Sequence, residues 1–136
     1  MTTTTTTMTM NSGKKKRILL VDDEHDITFS LCIGLENNGF AVDTFNDPEE
    51  ALSNFKAGLY DLLLIDVKMP KMNGFELYQE IEKMDNNFIT AFEVYYNSLR
   101  ELFPTMKIDC YIKKPITTDD LVARIKSELV AAFSSS

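Results

Sequence analysis

Three aspartates stand where apolar segments of the chain end. Asp22 and Asp23 follow Arg17–Val21, and Asp66 follows residues 62–65. A single aspartate in such a position usually serves as a turn or capping residue. Three carboxylates that come together, however, repel each other unless something cancels their charge. Hard oxygen ligands suit Mg²⁺, which binds one or two carboxylates and keeps several waters, so the pattern predicts a magnesium site if the two segments are neighbours.

A threonine and a lysine are associated in the same way with two later segments. Thr90 follows residues 88–89, and Lys114 stands directly before Pro115 at the end of a predicted strand. An ammonium group and a hydroxyl opposite the acids would complete a cradle for phosphate. A metal ion and a lysine would neutralise its charge while a carboxylate oxygen attacks in line. Because carboxylates are known nucleophiles, these residue types predict phosphoryl transfer to an aspartate.

The segments that carry these residues alternate between strand-like and helix-like patterns. Continuous apolar runs indicate strands that are covered on both faces, and apolar residues at every fourth position, such as Ile27, Leu31 and Leu35, indicate helices. The predicted strands cover residues 17–21, 40–45, 62–65, 88–91 and 108–112. The predicted helices cover about residues 27–38, 48–58, 75–84, 93–103 and 118–133, the last capped by Thr117 or Thr118.

Five strand-helix repeats predict an α/β fold in which a parallel sheet lies between two layers of helices. Right-handed crossovers leave few topologies, and the flavodoxin-like (βα)5 order 2-1-3-4-5 is the natural one. In such sheets chemistry gathers at the carboxyl ends of the strands. We therefore expect the acids, the threonine and the lysine to converge on one crevice.

Four segments of the chain resemble the defining blocks of response-regulator receiver domains. They are ILLVDDE at 18–24, DLLLIDVKMPKMNGFEL at 61–77, ITA at 89–91 and YIKKPI at 111–116. Each block alone is moderately specific, but four of them in the right order on the right elements are very specific. The resemblance covers about residues 16–133.

The resemblance implies roles for the acidic residues. Asp66 is expected to be the phosphoacceptor. Asp22 and Asp23 are expected on the metal side, with Asp23 the more direct ligand of Mg²⁺. The backbone carbonyl of Lys68, two positions after the phosphoacceptor, is also expected to face the metal, to which Asp66 itself contributes a ligand.

The resemblance also implies roles for the later residues. Thr90 is expected to supply the hydroxyl that follows the phosphoryl group, and Tyr111 occupies the aromatic switch position coupled to it. Lys114 is expected to contact the phosphoryl oxygens and to precede a cis bond to Pro115. Lys113 should point to the opposite side of its strand, because neighbouring residues of a strand alternate.

These implied roles predict a stand-alone, Mg²⁺-dependent receiver that switches the binding of a downstream protein target. A sensor histidine kinase or a phosphotransfer protein is the expected donor. Such a protein is a signalling domain rather than an enzyme, although it assists its own phosphoryl transfer and hydrolysis. Two alternatives are a nonphosphorylatable interaction module on the same scaffold and an aspartyl-nucleophile phosphatase. Phosphatases of that type usually carry a second aspartate where this chain has Lys68.

The chain departs from the pattern between Met84 and Phe88, where it is shorter than the resemblance implies. Only Phe88 and Ile89 remain as apolar strand before Thr90, so this departure bears on Thr90 and on the switch. Phe92 and Lys68 are expected to flank the path of a water towards the phosphorus. Neither orients a water and Phe92 is expected to cover the path, which predicts a long-lived phosphoprotein.

Composition limits the remaining possibilities. The chain has 136 residues, a net charge of −7 and a pI near 4.7, which argues against direct binding of nucleic acid. No apolar run is long enough to predict a membrane span, so a cytoplasmic protein is expected. We predict a disordered Thr-rich tail at 1–15, one domain at 16–133 and a short tail at 134–136. Cys32 and Cys110 are expected to be buried, reduced thiols.

Overall fold

A computed structural model describes residues 15–95 and 110–134. Five strands form one parallel sheet in the order β2-β1-β3-β4-β5, which confirms the predicted flavodoxin-like topology. The strands are β1 (Arg17–Val21), β2 (Ala41–Phe45), β3 (Leu62–Asp66), β4 (Ile89–Tyr95) and β5 (Cys110–Lys114). The helices of the described ranges are α1 (His25–Asn37), α2 (Pro48–Asn54), α3 (Gly74–Glu82) and α4 (Thr118–Ser134).

Two apolar clusters cover the two faces of the sheet. Successive residues of a strand point to opposite faces, so the continuous apolar runs of β1 and β3 supply both clusters. One cluster packs β1 and β3 against α1 and α4 and includes Ile18, Leu20, Leu64, Leu35 and Ile125. The other packs the same strands against α2 and α3 and includes Leu19, Leu63, Ile65, Leu77 and Ile81. This two-sided burial holds the carboxyl ends of the strands in fixed positions.

The helices begin close to the predicted residues, but α2 ends early. It starts at Pro48 after Asp47, as predicted, and stops at Asn54 instead of near Gly58. The reason is Phe55, which turns into extended backbone and buries its ring against Tyr60, with ring centroids 5.7 Å apart. Burial of the Phe55 ring stabilises the fold more than another exposed turn of α2 would.

The fourth strand is longer than predicted, and a backbone hydrogen bond fixes where it begins. The prediction placed a short strand at 88–91 and a helix from Glu93, but β4 continues to Tyr95, so the helical prediction is wrong for residues 93–95. The Ile89 N–H donates to the carbonyl of Asp61 at 3.0 Å, which fixes the start of β4 beside the start of β3. Because the connection before β4 is short, the strand starts at the amino edge of the sheet and then runs along the full length of β3. Residues 96–103 of the predicted helix lie outside the described residues.

Other predictions have mixed outcomes. The described part of the fifth strand runs from Cys110 to Lys114, two residues past the predicted end at Ile112, and the predicted residues 108–109 lie outside the described ranges. Cys32 is free and half-buried rather than fully buried, because it lies beside the core stripe of α1 and not on it. Residues 1–14 of the tail predicted at 1–15 also lie outside the described part of the chain. Within that part, no helix is long and apolar enough to cross a membrane.

Candidate functional site: an acidic pocket closed by a lysine

The three predicted acids meet at the carboxyl edge of the sheet. One carboxylate oxygen from each of Asp22, Asp23 and Asp66 lies within 4.8 Å of the others. The cause is the pairing of β1 with β3, which places Val21 beside Ile65 and so brings the residues that follow to the same edge. Asp22 and Asp66 are buried and Asp23 is half-buried. We call these three carboxylates the acid triad.

Lys114 closes the pocket from the side of β5. Its Nζ atom donates to Asp66 Oδ1 at 3.0 Å and to Asp22 Oδ2 at 3.4 Å, and its side chain is only 5% exposed. The following bond to Pro115 is cis. Lys113, one position earlier, is exposed to solvent. The structure therefore brings Lys114 and not Lys113 to the acids, in the register that the sequence predicts.

Burial and charge shift the titration of the pocket. Burial and then the carboxylate of Asp22 raise the pKa of Asp66, and against the opposing effect of Lys114 the pKa reaches about 7. Burial alone lowers the pKa of Lys114, but the carboxylates of Asp66 and Asp22 outweigh that effect and raise it well above its ordinary value. The lysine thus stays charged, and the acids still carry an excess of negative charge that a bound cation would offset.

The acid triad fits Mg²⁺ by the chemistry of its donors. All three are hard carboxylate oxygens, and the half-buried Asp23 leaves one side of the group open to the waters that Mg²⁺ retains. Lys68 follows β3 by two positions and exposes its side chain to solvent. The expected contribution of its backbone carbonyl to the metal stays a prediction.

Asn46 and Thr28 position the loop that carries Asp22, and sequence reasoning missed both. The Asn46 side-chain amide donates to the Asp22 carbonyl at 2.8 Å and to Thr28 Oγ1 at 2.9 Å. The Asp22 N–H donates to the carbonyl of Phe45, and Asp22 Oδ1 accepts from the Glu24 N–H at 3.0 Å. The available signal was the position of Asn46, since it directly follows β2 at the same edge of the sheet.

Gly74 allows α3 to approach the backbone of Asp66. A Cβ atom at this position would lie 2.5 Å from the carbonyl oxygen of Asp66, closer than any real contact of that kind. The Gly74 N–H donates to the Val67 carbonyl at 2.8 Å, which ties the start of α3 to the end of β3. Asn73 and Glu76 form a capping box that fixes the same helix start. The glycine is therefore required by the close approach of α3 to the backbone of Asp66.

Thr90 does not reach this edge of the sheet. The prediction placed it at the end of the fourth strand, but it is the second residue of β4 and pairs with Leu63, three positions before Asp66. Glu93 pairs with Asp66 instead, and its carbonyl accepts from the Val67 N–H at 2.9 Å. The physical reason is that β4 pairs with β3 over the full length of β3, so Thr90, the second residue of β4, lies beside the first part of β3.

Phe92 and Tyr111 belong to the opposite face of the sheet. Phe92 is fully buried against Phe75 and Tyr78, with ring centroids 4.9 and 5.8 Å away, so the expectation that it covers the path of a water is wrong. Tyr111 is half-buried, pairs with Phe92 and lies 6.4 Å from its ring. The contact of Tyr111 is therefore with Phe92, and its coupling to Thr90 stays a prediction.

The fold agrees with comparisons to known proteins. A model of the response regulator receiver domain matches residues 18–126, and the chain belongs to that family. Receiver domains are signalling domains that interact with histidine kinases or phosphotransfer proteins.

Two solved structures and one curated sequence illustrate the likeness. A CheY-like receiver domain protein from Methanospirillum hungatei is 30% identical with a TM-score of 0.78, and the match covers 90% of this chain and 100% of that one. The response regulator TrrA from Thermotoga maritima, in complex with Mg²⁺-BeF, is 34% identical with a TM-score of 0.72 over 83% of this chain and 98% of that one. A transcriptional regulatory protein CpxR homolog from Haemophilus influenzae is 37% identical over 88% of this chain and 53% of its own length.

The chain spans about half the length of the curated relatives it matches. Their names describe transcriptional regulation, so they give no support to the expectation that the protein has no contact with nucleic acid.

Proposed function

We propose that this protein is a Mg²⁺-dependent phosphoryl acceptor whose acceptor is Asp66. The observation that carries the proposal is the position of that carboxylate. It is buried at the end of β3, beside the acids of the β1 loop and 3.0 Å from the ammonium group of Lys114. A carboxylate held between a metal site and a fixed cation is suited to attack an electrophilic phosphorus.

The proposed reaction transfers a phosphoryl group from a histidine of a sensor kinase or of a phosphotransfer protein. A carboxylate oxygen of Asp66 attacks the phosphorus, and the bond from phosphorus to the imidazole nitrogen breaks. The imidazole leaves with the electron pair and takes up a proton. Mg²⁺, when bound to the acid triad, would neutralise charge on the transferred group.

The side chains of this chain have distinct tasks in that step. Lys114 holds one oxygen of Asp66, which leaves the other for attack, and its ammonium group lies close enough to pair with the oxygens of the incoming group. Asp22 shares Lys114 at 3.4 Å, so a phosphoryl group that draws the lysine away also changes the charge around the β1 loop. We infer that a downstream protein partner reads this change. Stand-alone action of the domain stays a prediction.

A nonphosphorylatable interaction module is a second candidate, and one observation favours it. The residue of β4 that pairs with Asp66 is a buried carboxylic acid, Glu93, where an incoming phosphoryl group would meet further negative charge. The phosphatase alternative has no comparable support, because the side chain two positions after Asp66 is an exposed lysine, Lys68.

The proposal is tested by incubation with acetyl phosphate and Mg²⁺, followed by measurement of the intact mass. Wild-type protein is expected to gain one phosphoryl group and Asp66→Asn none. Asp85→Asn is the matched control, since Asp85 accepts from the backbone of Gly58 at the amino edge of the sheet, and it should label like the wild type. Equal labelling of wild type and Asp66→Asn would contradict the assignment, and no labelling of the wild type would favour the second candidate.

A further inference from the structure

Glu93 is a buried carboxylic acid that the proposed reaction does not use. Its side chain is 1% exposed, and its Oε1 atom accepts no hydrogen bond among the residues that the structure describes. A buried carboxyl oxygen that accepts no hydrogen bond is costly, so such atoms are rare outside functional sites. That buried oxygen of Glu93 therefore indicates a role in the same pocket as the acid triad.

The backbone holds Glu93 at the pocket. It pairs with Asp66 of β3 on one side and with Ile112 of β5 on the other. Its carbonyl accepts from the Val67 N–H at 2.9 Å, directly after the phosphoacceptor position. Residues of a strand alternate between faces, and Phe92 points into the cluster under α3, so Glu93 points to the face that Asp66 and Lys114 share.

The charges around Glu93 are those of the phosphoryl pocket. Lys114 attracts its carboxylate, while Asp22, Asp66 and Glu24 repel it. Burial is the largest effect, and although Lys114 opposes it the pKa of Glu93 is raised to about 7. Three of these four charged neighbours are also the groups that a metal ion and a phosphoryl group would meet. The charge of Glu93 therefore acts on the same metal ion and phosphoryl group that the acid triad and Lys114 would bind.

We propose that Glu93 is a specificity-determining residue of the pocket, whose carboxylate strengthens the binding of Mg²⁺ and opposes the gain of a phosphoryl group by Asp66. The inference rests on the proposed function, because it concerns the same acceptor. An additional negative charge attracts a divalent cation and repels a phosphoryl group, and the effect is large in a buried site where the dielectric constant is low. Competition for Lys114 adds to it, since that ammonium group attracts both Glu93 and the phosphoryl oxygens.

The test compares the full chain with its Glu93→Gln and Glu93→Thr variants. Glutamine keeps the shape of the side chain and removes the charge, and threonine removes both bulk and charge. Glu82→Gln is the matched control, because Glu82 is exposed at the end of α3 near the amino edge of the sheet. Two quantities are measured for each protein: the Mg²⁺ dissociation constant by calorimetry and the phosphorylated fraction after acetyl phosphate by intact mass.

Both Glu93 variants are expected to bind Mg²⁺ about fivefold more weakly at low salt, and to reach a phosphorylated fraction higher than wild type at saturating Mg²⁺. The control should match the wild type in both. Unchanged Mg²⁺ affinity, or a phosphorylated fraction that stays level or falls in both variants, would overturn the role of Glu93 while labelling of wild type on Asp66 still supports the proposed function. No labelling of any protein would contradict the proposed function and this inference together. Labelling that appears only after Glu93 is replaced would support the inference but contradict the proposed function of the wild-type protein, and would favour the nonphosphorylatable candidate.

Discussion

The two halves of the pocket are built in different ways. On the β1–β3 side, two apolar strands pair over four residues each and place the acid triad at the edge of the sheet. On the β4 side, a short connection from α3 fixes the start of the strand and so decides which residue arrives opposite Asp66. On the first side the motif and the register agree. On the second side they disagree, and the register brings Glu93 to the pocket in place of Thr90.

A motif predicts the position of a residue only where the number of residues before it is also as expected. Asp22 directly follows β1 and Asp66 is the last residue of β3, and the core buries both strands on both faces, so the positions of the two acids depend on a few local residues. The position of Thr90 depends on where α3 ends and on how many residues return the chain to the sheet. Substitutions on the β4 side therefore distinguish best between the position that the motif implies and the position that the strand register gives.

The largest expected effect lies in the lysine that holds the acid triad together. Lys114→Ala leaves buried carboxylates without their cation, and we expect a loss of about 3 kcal/mol in the free energy of unfolding at pH 8. Lys113→Ala removes an exposed ammonium group from the neighbouring position and should change stability by less than about 0.5 kcal/mol. Urea unfolding of both variants measures the difference. Equal losses would mean that the register of β5 is wrong.

A second large effect is expected at the start of α3. Gly74→Ala would push its new methyl group against the carbonyl of Asp66, and we expect a loss of about 2 kcal/mol together with weaker Mg²⁺ binding. Gly58→Ala is the matched control. Gly58 has a φ of +81° but open space around it, so the substitution should cost only about 1 kcal/mol and leave Mg²⁺ binding unchanged. Normal Mg²⁺ affinity in Gly74→Ala would contradict the close approach of α3 to the pocket.

An intermediate effect is expected from pH in the absence of Mg²⁺. The pKa of Asp66 rises from 3.8 to about 7 on folding, so the folded state keeps a proton that the unfolded chain has lost between these values. The contribution of Asp66 to stability should therefore be greatest near pH 4 and fall as the pH rises through 7, by on the order of 2 kcal/mol. Glu93 titrates over the same range and adds to the fall.

Urea unfolding at a series of pH values, for wild type and Asp66→Asn, isolates the contribution of Asp66. Asparagine cannot titrate, so the variant should lose less stability across the range. A steeper fall in Asp66→Asn than in the wild type would show that another group controls the pH dependence.

The smallest expected effect is at Thr90, and it sharpens the contrast between the two halves. Thr90→Val removes a hydroxyl three positions away from the residue that pairs with Asp66. The structure therefore predicts no change in the rate or extent of phosphorylation by acetyl phosphate, followed by intact mass over time. A large loss of labelling would return Thr90 to the role that the sequence motif implies, and would contradict the register of β4.

The sequence was sufficient to predict the strand order, the acid triad and the choice of Lys114, because each depends on a continuous apolar run and the residue that ends it. The early end of α2 depends on the burial of Phe55 against Tyr60, a contact between residues whose pairing no local pattern shows. The register of β4 depends in the same way on a hydrogen bond from Ile89 to Asp61. Glu93 was placed in a helix, and without that register its burial beside Asp66 could not be predicted.

The central claim is that Asp66 carries the phosphoryl group, and the most direct measurement is the chemical identity of the labelled residue. Protein treated with acetyl phosphate and Mg²⁺ is reduced with borohydride, which converts an aspartyl-phosphate into homoserine, and its peptides are sequenced by mass spectrometry. Homoserine is expected at position 66 and at no other aspartate. Homoserine at position 22 or 23, or a phosphoryl group on a threonine of the amino-terminal segment, would contradict the claim.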